Sequence, residues 1–256
     1  MSKEKELILE AKHVTKKFPL TKGKELIAND DVSLKFYKGQ TLGIVGESGC
    51  GKSTFMRMMV QLEQPTSGEI LFKGKDITKM KGEELRKNRR NVQMVFQNPV
   101  GSFDPRKTLG YGIGESLKNR GVPKAEIRKK TANLLEQCGL EASYMDRYPH
   151  QVSGGQCQRA AIARALAVEP QIIICDEATS ALDVTVQKKV LDLLMNLQEN
   201  KKLSYVFICH NLALVQQFCD RVIVMKDGRV VEEGIPDEVI QNPKEEYTKM
   251  LVDSVF

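Results

Sequence analysis

Gly46–Thr54, GESGCGKST, is the stretch from which the rest of the chain is read. It fits the pattern of glycine, four residues, glycine, lysine, then serine or threonine. The apolar run Thr41–Val45 before it predicts a buried strand. After it, Phe55, Met58, Met59 and Leu62 recur at helical spacing. Strand, glycine-rich turn and helix are the context such a loop needs. Gly46, Gly49 and Gly51 let the backbone approach a phosphate without a clashing Cβ. Their N–H groups and the positive end of the helix form an anion cradle. Lys52 can then reach the β- and γ-phosphates, and the Ser53 hydroxyl can ligate Mg²⁺.

The pattern alone recurs too often by chance to fix a function, so the remaining residues must say what kind of machine this is. The chain has 256 residues, 41% of them hydrophobic, which suits one domain with a sub-lobe or two tightly joined lobes. Net charge is +6, and basic spots such as Lys16–Lys17 and Lys129–Lys130 are short. They read as solvated faces rather than a nucleic-acid track, and a mildly basic surface also suits the cytoplasmic face of a membrane. No segment approaches the roughly 18 apolar residues of a membrane span. The start, MSKEKELILE, lacks the apolar core of a secretory signal. The six cysteines form no CxxC pair, which argues against a zinc site or a disulfide framework. A soluble intracellular protein is the expectation.

Leu7–Val14 and the alternating Val32, Leu34 and Phe36 predict two strands of an antiparallel flap, with Gly23 and Asn29–Asp31 at the turns. Phe18 lies between them, where its ring can stack on a base or simply pack under the flap. Gly68–Phe72 and Val92–Phe96 predict further strands. The second ends at Gln97, whose side chain can reach Mg²⁺ or an attacking water. Tyr111–Arg120 and Lys124–Leu140 predict helices, the latter with Ile127, Leu134, Leu135 and Cys138 on one face. Ser153–Gln156, SGGQ, then opens another helix as a second anion site, a serine cap followed by flexible glycines.

Ile172–Cys175 is a continuous apolar run, the mark of a parallel strand buried on both faces. Asp176 and Glu177 stand at its carboxyl end, where open α/β sheets place ligands. Asp176 can hold a metal shell, and Glu177 can deprotonate a water. Ser204–Cys209 predicts another strand, ending in His210. Val222–Lys226 and Arg229–Glu233 predict a hairpin through Asp227–Gly228, and Pro236–Phe256 reads as two short helices.

The ordered set GESGCGKS, FQNP, VSGGQ, IIICDEATSALD and ICHN resembles the ATP-binding subunits of ABC transporters over nearly the whole chain. The resemblance implies an α/β P-loop ATPase core with an antiparallel β flap over residues 1–106 and 169–235. It also implies an all-helical signature subdomain over 107–168 and a helical tail over 236–256. It implies ATP and Mg²⁺ as cofactors. Gly46, Ser48, Gly49, Cys50, Gly51, Lys52, Ser53 and Thr54 correspond to the Walker A loop, and Phe18 to the adenine-stacking aromatic. Ser53, Gln97 (the Q-loop glutamine) and Asp176 correspond to the metal site, Glu177 to the catalytic base and His210 to the switch histidine. Ser153, Gly154, Gly155 and Gln156 form the signature, and Ser180–Asp183 is the D-loop. Two such domains then pair head to tail, each signature facing the other's ATP.

The segments GSFDPR, YPHQVSGGQ and EEGIPDEVIQNPKEEYTKML are similar to those of oligopeptide, dipeptide and nickel importers, and to the second ATPase of their pair. That implies a non-identical ATPase partner, two transmembrane permease subunits and an extracytoplasmic substrate-binding protein, with this chain at the cytoplasmic face of the membrane and no nucleic acid. Val152 stands where leucine is usual. The chain stops at Phe256 without the cysteine-containing segment of many peptide-importing relatives, which leaves nickel or metallophore uptake as an alternative. A non-transport member of the superfamily is less favoured. Only 107 positions separate Gly46 from Ser153, with no coiled-coil heptads, and there is one ATPase domain. A small-molecule P-loop kinase would give SGGQ no role.

Overall fold

The computed structural model of the chain describes residues 6–178, 183–209 and 211–254, with Lys22 described by its backbone only. In chain order the strands are β1 (Leu7–Pro19), β2 (Glu25–Tyr37), β3 (Thr41–Val45), β4 (Ser67–Phe72), β5 (Lys75–Asp76), β6 (Val92–Val95), β7 (Ile172–Asp176), β8 (Ser204–Ile208), β9 (Arg221–Lys226) and β10 (Arg229–Gly234). The α-helices are α1 (Lys52–Met59), α2 (Gly82–Asn88), α3 (Leu109–Lys118), α4 (Lys124–Gln137), α5 (Gly154–Leu166), α6 (Val184–Lys201), α7 (Leu212–Phe218), α8 (Pro236–Gln241) and α9 (Glu246–Asp253). They fall into two compact units, one running to Val92 and resuming at Leu203, the other spanning Gln93–Lys202. The expected mixed α/β class holds.

In the first unit, β3 is buried at all five positions and runs parallel to β8 and β9. That explains its unbroken apolar sequence, since no face of it meets water. Asp227 and Gly228 turn β9 back into β10 with φ of 47° and 79°, the two positive values that a tight two-residue hairpin requires. The flap is antiparallel in the order β2-β1-β4-β5. Its first two strands are longer than alternation suggests, and Phe18 lies within β1, paired with Leu26. Asn29–Asp31, expected as a turn, sits inside β2. The register slips repeatedly there and Asp31 takes φ of 53°, so a bulge absorbs the turn-forming residues.

Helix α1 buries Phe55, Met56, Met58 and Met59, each at most 1% exposed. Burial of such a side chain is worth about 1.5–3 kcal/mol, and it fixes the helix whose first residue is Lys52. The tail joins the same unit. Val239, Ile240 and Tyr247 pack in one cluster with Val45, Leu212, Val215, Val222 and Val224.

In the second unit, β6 and β7 lie side by side, and β7 is buried throughout. Three of its helices begin at side-chain caps: Thr108 for α3, Ser153 for α5 and Asp183 for α6. Helix α5 is rich in buried alanines, Ala160, Ala161, Ala163 and Ala165, which permit close packing. Among the described residues no helix is long and apolar enough to cross a membrane.

Candidate nucleotide site

The loop between β3 and α1 is held from several sides within the first unit. Lys52, only 4% exposed, donates from Nζ to Gly46 O and Glu47 O, both at 2.7 Å. Asn29 Nδ2 donates to Gly51 O at 3.2 Å, and Gly228 N–H to Cys50 O at 3.0 Å. Two of the three glycines are required by this packing. A Cβ on Gly46 would lie 2.2 Å from Met225 O, and one on Gly51 2.2 Å from Ala28 O. At Gly49 it would meet nothing, although φ there is 84°. All three glycines take positive φ, 149°, 84° and 100°, and at Gly46 and Gly51 close backbone approach adds a second requirement. Glu47, Ser48 and Gly49 face solvent, as a phosphate cradle must. Phe18 is half-buried, with Lys16 Nζ 4.9 Å from its ring centroid.

In the second unit, Gln97 Nε2 donates to Glu177 Oε2 at 2.5 Å, joining the ends of two candidate motifs 80 residues apart. Glu177 takes φ of 47°, a left-handed conformation rare for a side-chain-bearing residue. Such backbone positions gather at functional sites. Asp176 before it is 7% exposed at the end of β7. Burial pushes the neighbouring Cys175 thiol up to about 12, with a further rise from the Asp176 carboxylate, so this sulfur stays protonated.

Ser153 and Gln156 form a reciprocal capping box at the start of α5: Gln156 N–H donates to Ser153 Oγ, and Ser153 N–H to Gln156 Oε1. Gln156 Nε2 also donates to Tyr144 Oη at 2.8 Å. With that amide engaged, Gly154 is the open approach to the helix end, since a Cβ there would meet nothing. Asp183 caps α6 by accepting from Val186 N–H at 3.0 Å. His210 and Ser180–Leu182 lie outside the described residues.

Sequence patterns missed several supports. Asn29 is fully buried in β2 and grips the loop, and the only sign of it was a polar residue breaking the alternation. Arg164 in α5 donates to Ser102 O and Oγ at 2.5 and 2.9 Å and stacks 4.3 Å from the Phe103 ring centroid. An arginine inside an alanine-rich helix was the available hint. Tyr247 Oη accepts from Glu47 N–H at 2.9 Å, a contact across 200 residues that no local pattern announces.

The family model described as ABC transporter matches residues 29–180. The chain is 44% identical to the oligopeptide transport ATP-binding protein OppF of Salmonella typhimurium, over 98% of this chain and 78% of that protein. It is 44% identical to the dipeptide transport ATP-binding protein DppF of Escherichia coli, over 96% and 76%. It is 47% identical to the oligopeptide transport ATP-binding protein AppF of Bacillus subtilis, over 98% and 78%. The ATP-binding cassette MJ0796, solved as a post-hydrolysis dimer bound to ADP and Pi, superposes with a TM-score of 0.82 at 33% identity, covering 90% of this chain and 99% of that one. The cbiO1 protein of Clostridium perfringens, part of the cbiONQ transporter complex, gives 0.81 at 30%, covering 93% and 92%.

Proposed function

The chain belongs to the ABC transporter family as an ATP-hydrolysing subunit, and we propose that it drives uptake of oligopeptides or dipeptides through partner membrane subunits. The observation that carries this is the likeness to peptide-transport ATP-binding proteins at 44–47% identity over 96–98% of the chain.

On this reading ATP lies on the Gly46–Thr54 loop with its adenine against Phe18. Lys52 leaves the Gly46 and Glu47 carbonyls for the β- and γ-phosphate oxygens. Glu177 takes a proton from water as its oxygen attacks the γ-phosphorus, the bond to the β–γ bridging oxygen breaks, and ADP and phosphate remain. What supports Glu177 in that role is its strand-end place and its contact with Gln97, which fixes the direction of the carboxylate. His210 would sense the γ-phosphate.

Ser53, Gln97 and Asp176 offer only hard oxygen donors, a set that fits Mg²⁺. Gln97 Nε2 is committed to Glu177, so Oε1 is the atom available to a cation. When bound, the ion neutralises charge on the phosphates. These site assignments are part of the proposal.

The partner arrangement follows the same reading. A second ATPase subunit, non-identical, pairs head to tail so that Ser153, Gly154, Gly155 and Gln156 face its ATP, with Asp183 at the junction. The dimeric state of MJ0796 supports such pairing. Two permease subunits and an extracytoplasmic binding protein complete the importer, with this chain at the cytoplasmic face of the membrane. The region Gln97–Arg106 and the helical stretch 107–168 would meet the permeases.

A test is uptake in the native cell. Loss of this chain should abolish uptake of a labelled tripeptide, restored by the wild-type chain but not by Lys52→Ala. Intact peptide uptake with lost nickel uptake would overturn the cargo assignment.

A further inference from the structure

The tail touches the Gly46–Thr54 loop at Glu47. Glu47 is gripped on both sides of its Cα. Its N–H donates to Tyr247 Oη at 2.9 Å, and its C=O accepts from Lys52 Nζ at 2.7 Å and from Cys50 N–H at 3.3 Å. Tyr247 is itself fixed. It is 7% exposed within the apolar cluster that includes Val45 at the end of β3, and Lys226 Nζ lies 4.9 Å from its ring centroid. Its helix is tied to β10 by Glu232, whose carboxylate accepts from Lys244 N–H at 3.0 Å and Glu245 N–H at 3.1 Å at the start of α9. A carboxylate there satisfies orphan donors and suits the helix dipole.

We propose that Tyr247 is a positioning residue for nucleotide binding, its hydroxyl setting Glu47 so that the loop N–H groups are preorganised for the phosphates. The loop would otherwise lose conformational freedom on binding, at a cost in affinity. This rests on the reading of Gly46–Thr54 as the phosphate cradle.

The test uses the full-length chain, with fluorescent N-methylanthraniloyl-ADP as probe and amide hydrogen exchange at Glu47 as a second readout. Tyr247→Phe keeps the ring and removes one hydrogen-bond partner. It should weaken probe binding about fivefold, the size of one neutral hydrogen bond. It should also speed exchange at Glu47 and raise the KM for ATP with little change in kcat. Glu232→Gln should act in the same direction, and the double variant should be no worse than Tyr247→Phe alone. If Tyr247→Phe does not fold, Glu232→Gln is judged by the same two readouts. Binding within twofold of wild type with unchanged exchange at Glu47 overturns the proposal, because packing alone would then account for the tyrosine. Lys52→Ala separates the two levels of the argument. If it still binds the probe normally, the cradle reading itself falls.

Discussion

Gln97 Nε2 donates to Glu177 Oε2 at 2.5 Å, so the carboxylate at the end of β7 is oriented by a residue two positions beyond β6. Orientation of a general base by a neighbouring side chain is worth measurable rate, because a misdirected carboxylate no longer meets the attacking water. Gln97→Ala should therefore lower kcat by about tenfold or more while the Kd for ATP stays within a few fold. Steady-state turnover and equilibrium binding on the same preparation would check this, and a rise in Kd with kcat unchanged would count against it.

The phosphate-loop glycines should separate by mechanism. Gly51→Ala places a Cβ 2.2 Å from Ala28 O and Gly46→Ala one 2.2 Å from Met225 O, contacts that force the backbone apart. Gly49→Ala meets no atom and should cost only about 1–2 kcal/mol for its left-handed backbone. Thermal unfolding should rank Gly49→Ala as the mildest of the three.

Arg164, in the last turn of α5, links that helix to the stretch after Gln97 through Ser102 and Phe103. Burial lowers its pKa, yet the group keeps its charge because it starts so far above neutrality. Arg164→Met removes both hydrogen bonds and leaves the part-buried Ser102 oxygens without that donor, a loss of about 2 kcal/mol. The melting midpoint should fall by about 4–8 °C for a chain of this size, and Arg164→Lys should recover only part of it, since lysine lacks the fork.

Glu232 should make the tail sensitive to acid. Burial works to raise its carboxyl pKa, but the donors around it, Thr248 and the Lys244 and Glu245 N–H groups, outweigh burial and hold it below the usual 4.5, with help from the Lys244 charge. A group whose pKa is lowered by folding stabilises the fold above its unfolded value. That contribution is lost as pH falls through the folded one. Stability of wild type should fall relative to Glu232→Gln as pH drops below about 4.5, and the two curves should run parallel above it. Parallel curves throughout would show that the carboxylate does not carry the attachment.

The local structure of the motif segments was legible because each obeys a local rule. GESGCGKST needed a strand before it and a helix after it, and β3 and α1 supply them. The run Ile172–Cys175 announced a strand buried on both faces, and SGGQ a capped helix. What escaped was non-local or masked by local propensity. Asn29–Asp31 reads as a turn because those residues favour turns, but pairing with β1 kept them in the strand as a bulge. Phe18 looked like part of a connection, yet cross-strand pairing with Leu26 carries β1 on to Pro19. Helix α6 went unread although Val190, Leu191, Leu194 and Leu197, the residues it buries, recur at helical spacing, so the signal was present in the sequence. Tyr247 could not have been placed, since its partner Glu47 lies 200 residues earlier.

The most direct test of the central claim is turnover and binding in Glu177→Gln. The variant keeps the shape of the side chain and removes its ability to accept the proton from water. ATP hydrolysis should fall by roughly 10²–10⁴ fold, the span general-base catalysis supplies, while ATP still binds with near wild-type affinity. Near-normal turnover in this variant would contradict the account, because the base would then have to be another group.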